Sequence, residues 1–228
     1  MGLFSKGKPA APLRTSVEAP PTKFPYYELS NLEQGSEEWR RWRKGVIGAS
    51  DAPTIMSENR WQSAQSLLEE KLGLKPEFTG NAATREGHRL EEDARRELVK
   101  KFRIELGPTV IQDGDVPYFA ASLDAIDKQH TQVFEIKCGA KAYEIVASKR
   151  EVPSYYFGQL QHILMITQLD KIVYAAFRPY SQLITVEIGR NDSYISKLRE
   201  TEEKFADTLR KKGHKLQTEF IGRQIVRG

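Results

Sequence analysis

Ser122-Leu-Asp124-Ala-Ile-Asp-Lys-Gln-His-Thr-Gln-Val-Phe-Glu135-Ile-Lys137 is the stretch on which the fold turns. Residues 118–126 and 132–138 are rich in β-formers, and 127–131 between them reads as a hairpin loop. Side chains alternate along a strand. Glu135 and Lys137 therefore share one face, and Phe134, Ile136 and Cys138 share the other. A four-residue loop at 128–131 sets Asp124 opposite Glu135. The spacing thus predicts two carboxylates and an ammonium converging beside an apolar strand face.

Carboxylates held that close repel unless a proton or a cation lies between them. A hard divalent ion such as Mg²⁺ takes oxygen ligands: one or two carboxylates, water and substrate phosphate. Such an ion acidifies its water and steadies the oxygens of phosphoryl chemistry. A neighbouring lysine can orient that water or offset phosphate charge. Asp…Glu-x-Lys is the pattern of metal-dependent nucleases. The plainer alternative is a surface hairpin with ordinary cross-strand charge pairs, so the rest of the chain has to decide.

The chain has 228 residues, 29% charged and 39% hydrophobic, with a net charge of +4. That is enough for one domain with a real core. The mild positive excess permits a local basic groove without itself indicating nucleic acid. A single cysteine, Cys138, excludes a disulfide framework and a four-cysteine metal site. His88, His130, His162 and His214 show no ligand spacing. No run reaches the length of a membrane span, and the N-terminus lacks an apolar signal core, so the expected location is the cytoplasm.

Residues 1–30 hold five of the eleven prolines and scattered lysines, and read as a flexible extension. Ser36 predicts a helix cap with Glu37 and Glu38 in the first turn, Trp39 and Trp42 on one face, and Arg40, Arg41, Arg43 and Lys44 behind them. Ser50 reads as the cap of a second helix, whose N–H groups suit a phosphate. Residues 62–72 and 81–102 predict amphipathic helices, the longer with Leu90, Ala94, Leu98 and Phe102 as its core stripe and Glu91 at the stripe's edge. After the hairpin come a helix at 143–149 and an apolar helix at 154–167 carrying Gln159, Gln161 and His162. A strand pair follows at 171–177 and 183–188, then a long helix capped at Asn191 or Asp192 that ends in a basic run, Arg210-Lys-Lys-Gly-His-Lys. Residues 216–228 show no pattern and read as a tail. The expected fold class is α/β (α+β), a mixed central sheet flanked by helices.

With those elements in place, residues 34–212 resemble the phage lambda exonuclease family of viral recombination nucleases, within the restriction-endonuclease-like group. The resemblance rests on ordered blocks. They are Gln34-Gly-Ser-Glu-Glu-Trp39, Arg43-Lys-Gly-Val-Ile-Gly-Ala-Ser50, Gly87-His-Arg-Leu-Glu91-Glu-Asp-Ala, Ser122-Leu-Asp124 with Glu135-Ile-Lys137, and Tyr156-Phe-Gly-Gln159-Leu-Gln161. It implies a restriction-endonuclease-like core over 31–215. It implies Mg²⁺, with Mn²⁺ as a substitute, on Asp124, Glu135 and the Ile136 carbonyl. Lys137 would position or activate the attacking water, Glu91 would complete the acidic site, and Gln159 would help place Lys137 or the nucleophile. Arg43, Ser50 and Ser122 would hold a terminal 5′ phosphate. The implied activity is 5′→3′ degradation of one strand of duplex DNA from its ends, releasing mononucleotides and leaving 3′ single strands. A homotrimeric ring and a single-strand annealing protein are the implied assembly and partner. Alternatives are an endonuclease or junction-cleaving nuclease on the same core, and a non-catalytic recombination accessory protein.

Overall fold

The computed structural model describes residues 23–76 and 82–226. Its elements run β1 (Lys23–Glu28), α1 (Glu37–Arg43), β2 (Ile47–Gly48), α2 (Ala52–Ile55), α3 (Ala64–Lys71), α4 (Ala82–Phe102), β3 (Leu106–Asp113), β4 (Phe119–Asp127), β5 (Val133–Lys137), α5 (Ala140–Lys149), α6 (Phe157–Thr167), β6 (Lys171–Ala176), β7 (Ile184–Gly189), α7 (Asp192–Lys211) and β8 (Arg223–Val226). One mixed sheet has the order β7-β6-β5-β4-β3-β1-β8, with β2 against β4. Most pairs are antiparallel; β5 runs parallel to β6 and β2 parallel to β4. Helices cover both faces, so the expected mixed sheet with flanking helices is what the chain builds.

The two faces bury separate cores. On one, α4 lays Leu90, Ala94 and Leu98 against Ala125, Phe134, Ile136, Val173 and Ala175. This is the i, i+4, i+8 stripe that the helical period dictates. On the other, α6 sits with Leu160, Ile163 and Leu164 against Leu123, Val133 and Tyr174. Phe134 is fully buried, and truncating it to alanine would cost about 4 kcal/mol on the scale of such cavities. His162 of α6 ties the second face together. Its Nδ1 lies 2.8 Å from Glu202 Oε1 on α7 and its Nε2 lies 3.1 Å from the Ala120 carbonyl on β4.

Both ends of the sequence reading need correction. Part of the extension expected to be flexible is strand β1, which pairs with β3 and with β8. Tyr26 is buried there, and its hydroxyl lies 2.6 Å from His130 Nδ1. Residues 1–22 of that expected extension lie outside the described residues. The expected tail after 216 contributes β8. The single sheet thus spans Lys23 to Val226, wider than the 31–215 expected. The Pro-rich approach hid β1, and Pro25 spends its carbonyl on the Gly114 amide at 2.8 Å. Among the described residues no helix is long and apolar enough to cross a membrane.

Candidate active site

The β4–β5 hairpin forms in the expected register. Ala125 pairs with Phe134 and Ile126 with Val133, which places Asp124 across from Glu135. Asp127 closes the loop: its Oδ1 accepts from the Thr131 and Gln132 amides at 2.7 and 2.6 Å. One feature departs from a regular ladder. Gly107 pairs with Ile126 but Thr109 pairs with Leu123, so Asp124 and Ala125 together oppose Pro108 alone. This is a β-bulge, and it sits where proline has no N–H to give. It breaks the alternation: Leu123 and Ile126 face α6 while Ala125 faces α4. Asp124 itself turns toward β5, and its Oδ2 accepts the Ile136 amide at 2.7 Å.

Glu135 is 1% exposed. Its Oε1 receives Lys137 Nζ at 2.5 Å and Gln159 Nε2 at 2.6 Å. Its Oε2 is buried with no partner, which is costly for a carboxylate oxygen. Burial, then the charge of Asp124, pushes the Glu135 carboxyl up to about 8. Burial raises Asp124 as well, against the pull of Lys137. Burial alone would lower Lys137, but Glu135 and Asp124 outweigh it and hold the ammonium charged. The Tyr156 ring lies beneath that ammonium, 4.9 Å from Nζ to its centroid.

Helix α4 closes the acidic side. Glu91 follows core residue Leu90, so it stands at the sheet-facing edge. His88 Nδ1 lies 2.9 Å from Glu91 Oε1. Burial and then the charge of Asp124 raise the Glu91 carboxyl. One turn on, Arg95 Nε donates to the Asp124 carbonyl at 3.0 Å. Glu91, Asp124, Glu135, Lys137 and Gln159 are therefore brought together from α4, β4, β5 and α6. Among the described residues no three His, Cys, Asp or Glu side chains form a ready-made cage for an ion. The donor set still fits a hard cation. The charge of Asp124 raises both Glu91 and Glu135, and Glu135 keeps an oxygen free, while water and phosphate ordinarily complete such a shell.

A second cluster adjoins this one through β4. Ser122, two residues before Asp124, accepts from Trp39 Nε1 at 3.0 Å. The Arg43 guanidinium lies 5.4 Å from the Trp39 ring centroid, and its Nη2 donates to Ser50 Oγ at 3.0 Å and to Asp51 Oδ1 at 3.1 Å. Arg43, Ser50 and Ser122 thus form one group, with Trp39 as the link. Ser50 does not cap a helix as expected. Asp51 holds the turn by accepting the Gly48 amide at 2.9 Å, which leaves Ser50 exposed beside Arg43. Asp51 is buried against Lys71 at 2.9 Å. Burial alone would raise it, but Lys71 and Arg43 outweigh that and lower its carboxyl to about 2. The sequence reading missed Asp51, Lys71, His88, Arg95 and Tyr156. His88 and Tyr156 lie within the quoted blocks and Asp51 directly follows one, so their position was a signal. Nothing local marks Lys71, whose partner is twenty positions away.

The site is thus a mixed sheet that carries paired carboxylates and a lysine on one hairpin, flanked by a basic serine turn. The chain belongs to the family of YqaJ-like viral recombinase domains, whose model matches residues 38–170. It is 26% identical over 184 residues to the uncharacterized protein YqaJ of Bacillus subtilis (strain 168), covering 77% of this chain and 56% of that protein. The chain thus spans little more than half the length of that curated relative. Its fold is similar to an alkaline exonuclease, LHK-Exo, from Laribacter hongkongensis, at a TM-score of 0.69 and 22% identity over 78% of this chain and 94% of that one. LHK-Exo in complex with dAMP matches at 0.64 and 22%, over 78% and 98%. A phage-related exonuclease from Haemophilus somnus 129PT matches at 0.55 and 14%, over 74% and 96%.

Proposed function

We propose that this chain is a divalent-metal-dependent exonuclease that degrades duplex DNA from its ends, 5′→3′, releasing mononucleotides and leaving 3′ single strands for recombination by strand annealing. One observation carries the reading. Glu135 is fully buried, with one oxygen taking two donors and the other none, against Asp124 and Lys137. Such a carboxylate is expensive unless a cation completes it. Mg²⁺, or Mn²⁺ in its place, suits an oxygen-only set of Asp124, Glu135 and the Ile136 carbonyl. When bound it would supply an acidified water and neutralise charge at the phosphate.

The chain's own groups do the rest. Gln159 and Lys137 occupy Glu135 Oε1 and so leave Oε2 as the oxygen available to an ion. The Ile136 amide fixes Asp124. Lys137 stays an ammonium at working pH, so it serves as a donor that orients water or offsets phosphate charge rather than as a base. Glu91 completes the acidic wall. Arg43, Ser50 and Ser122 offer a guanidinium and two hydroxyls to a terminal 5′ phosphate, and Arg is suited to that anion. The dAMP held by an exonuclease of this fold is the kind of product the reaction would release. A ring-shaped homotrimer and a single-strand annealing protein complete the proposal as assembly and partner.

The test uses linear duplex DNA labelled at the 5′ or the 3′ end, with and without a 5′ phosphate, in Mg²⁺ or EDTA. Early release of the 5′ label as a mononucleotide, favoured by the phosphate and abolished by EDTA, is expected. Nicking of a closed circular duplex would move the assignment to an endonuclease. DNA binding without cleavage in Mg²⁺, or in Mn²⁺ put in its place, would make the chain an accessory protein.

A further inference from the structure

Trp61 is 64% exposed; a single exposed apolar side chain is ordinary by itself, but this one is held in place beside a cation and a second ring. It is not loosely held. Its amide donates to Asn59 Oδ1 at 3.0 Å, and Asn59 Nδ2 donates to Thr54 Oγ1 at 2.9 Å. The Asn59 amide also bonds the Pro53 carbonyl at 3.0 Å. The loop between α2 and α3 therefore presents the indole on a fixed mount. The Arg60 guanidinium lies over that indole, 4.5 Å from its ring centroid, and 5.6 Å from the Tyr155 centroid. No carboxylate pairs with Arg60 among the described residues. Tyr155 meets Trp61 edge-on at 4.8 Å and Tyr156 at 4.7 Å. Tyr156 is the ring under Lys137 Nζ. Three successive contacts, each under 5 Å, thus lead from an exposed indole to the lysine of the active site.

We infer that Arg60, Trp61 and Tyr155 form a stacking platform for unpaired DNA bases next to the active site. Aromatic rings interleaved with an unpaired guanidinium are the chemistry by which proteins hold single strands, because every base offers a π face and every linkage a phosphate. A frayed duplex end presents such bases, and capturing them would hold the strands apart while one is cut. The inference places DNA at Lys137 and so rests on the nuclease reading, but binding without turnover separates the two.

The test titrates the full chain in EDTA into a fluorescein-labelled twelve-residue oligo(dT) or a labelled blunt duplex of equal length, following fluorescence polarisation. Saturable binding of the single strand is expected. Trp61→Ala should weaken oligo(dT) binding roughly tenfold or more, change blunt-duplex binding by less than about twofold, and leave the melting temperature unaltered because the side chain is exposed. Trp61→Phe should keep most of the affinity. Equal oligo(dT) affinity in wild type and Trp61→Ala would overturn the platform, whatever the cleavage assay shows. So would a change in assembly mass with Trp61→Ala, which would make the indole a protein contact.

Discussion

Lys137 Nζ and Glu135 Oε1 stand 2.5 Å apart at the end of one central strand. They are two residues apart on that strand, so the pleat alone points them the same way. Neither carries its charge cheaply. The lysine stays an ammonium because the carboxylates are there, and the glutamate resists ionisation first because it is buried and then because Asp124 is beside it.

Replacing the lysine tests its role. Lys137→Ala should fold and bind duplex DNA with near-normal affinity, and cut at least about a hundredfold more slowly, the lower end of what a positioned proton donor contributes. Single-turnover rates and EDTA-trapped binding measure the two separately. Near-normal turnover by the folded variant would remove Lys137 from the site.

Gln159 touches Glu135 rather than the reacting atoms. Gln159→Ala should leave duplex binding intact and lower kcat about 10–100-fold, as losing a partner that orients a metal ligand does. Raising the Mg²⁺ concentration should restore part of the loss. An increase in KM with kcat unchanged would show that the amide meets DNA instead.

Metal binding should depend on pH with a definite sign. In the metal-free fold Glu135 titrates at about 8, above its ordinary value of 4.5. Its contribution to stability is therefore fully present below pH 4.5 and lost as pH rises through 8. An ion that replaces the proton helps most where the proton has gone. Mg²⁺ should raise the melting temperature more at pH 9 than at pH 6. An equal shift at both would argue against Glu135 as a ligand.

Asp51 behaves in the opposite way. Its carboxyl lies at about 2 against an ordinary 3.8, so its contribution is present above pH 3.8 and lost as pH falls through 2. Asp51→Asn should cost about 3 kcal/mol in urea unfolding at pH 7, since it strands a buried Lys71. The surviving fold should also discriminate less between 5′-phosphorylated and 5′-hydroxyl ends, because Arg43 loses one of its two anchors.

Local periodicity carried most of the site. The hairpin, its register and the position of Glu91 beside Leu90 all follow from strand and helix repeats that neighbouring residues set. What escaped depends on partners distant in the chain. The bulge at Asp124 needs Pro108 on another strand, and β1 needs β3 and β8 to satisfy its backbone. The Asp51–Lys71 pair joins a turn to the end of a helix. Ser50 was misread because two adjacent residues each had a side chain able to bond the turn, and Asp51, the charged one, took it.

The pairing of β1 with β8 brings Lys23 opposite Val226. The start of β1 and the end of β8 therefore lie side by side, on the side of the sheet away from β7. The polypeptide can in consequence be re-cut. A short linker would bridge the paired strands, and new termini would open at the fully exposed Tyr180 in the β6–β7 turn. Such a circular permutant would keep β4, β5 and α6 continuous, so the acidic cluster would survive a rearrangement of the order in which the chain is made.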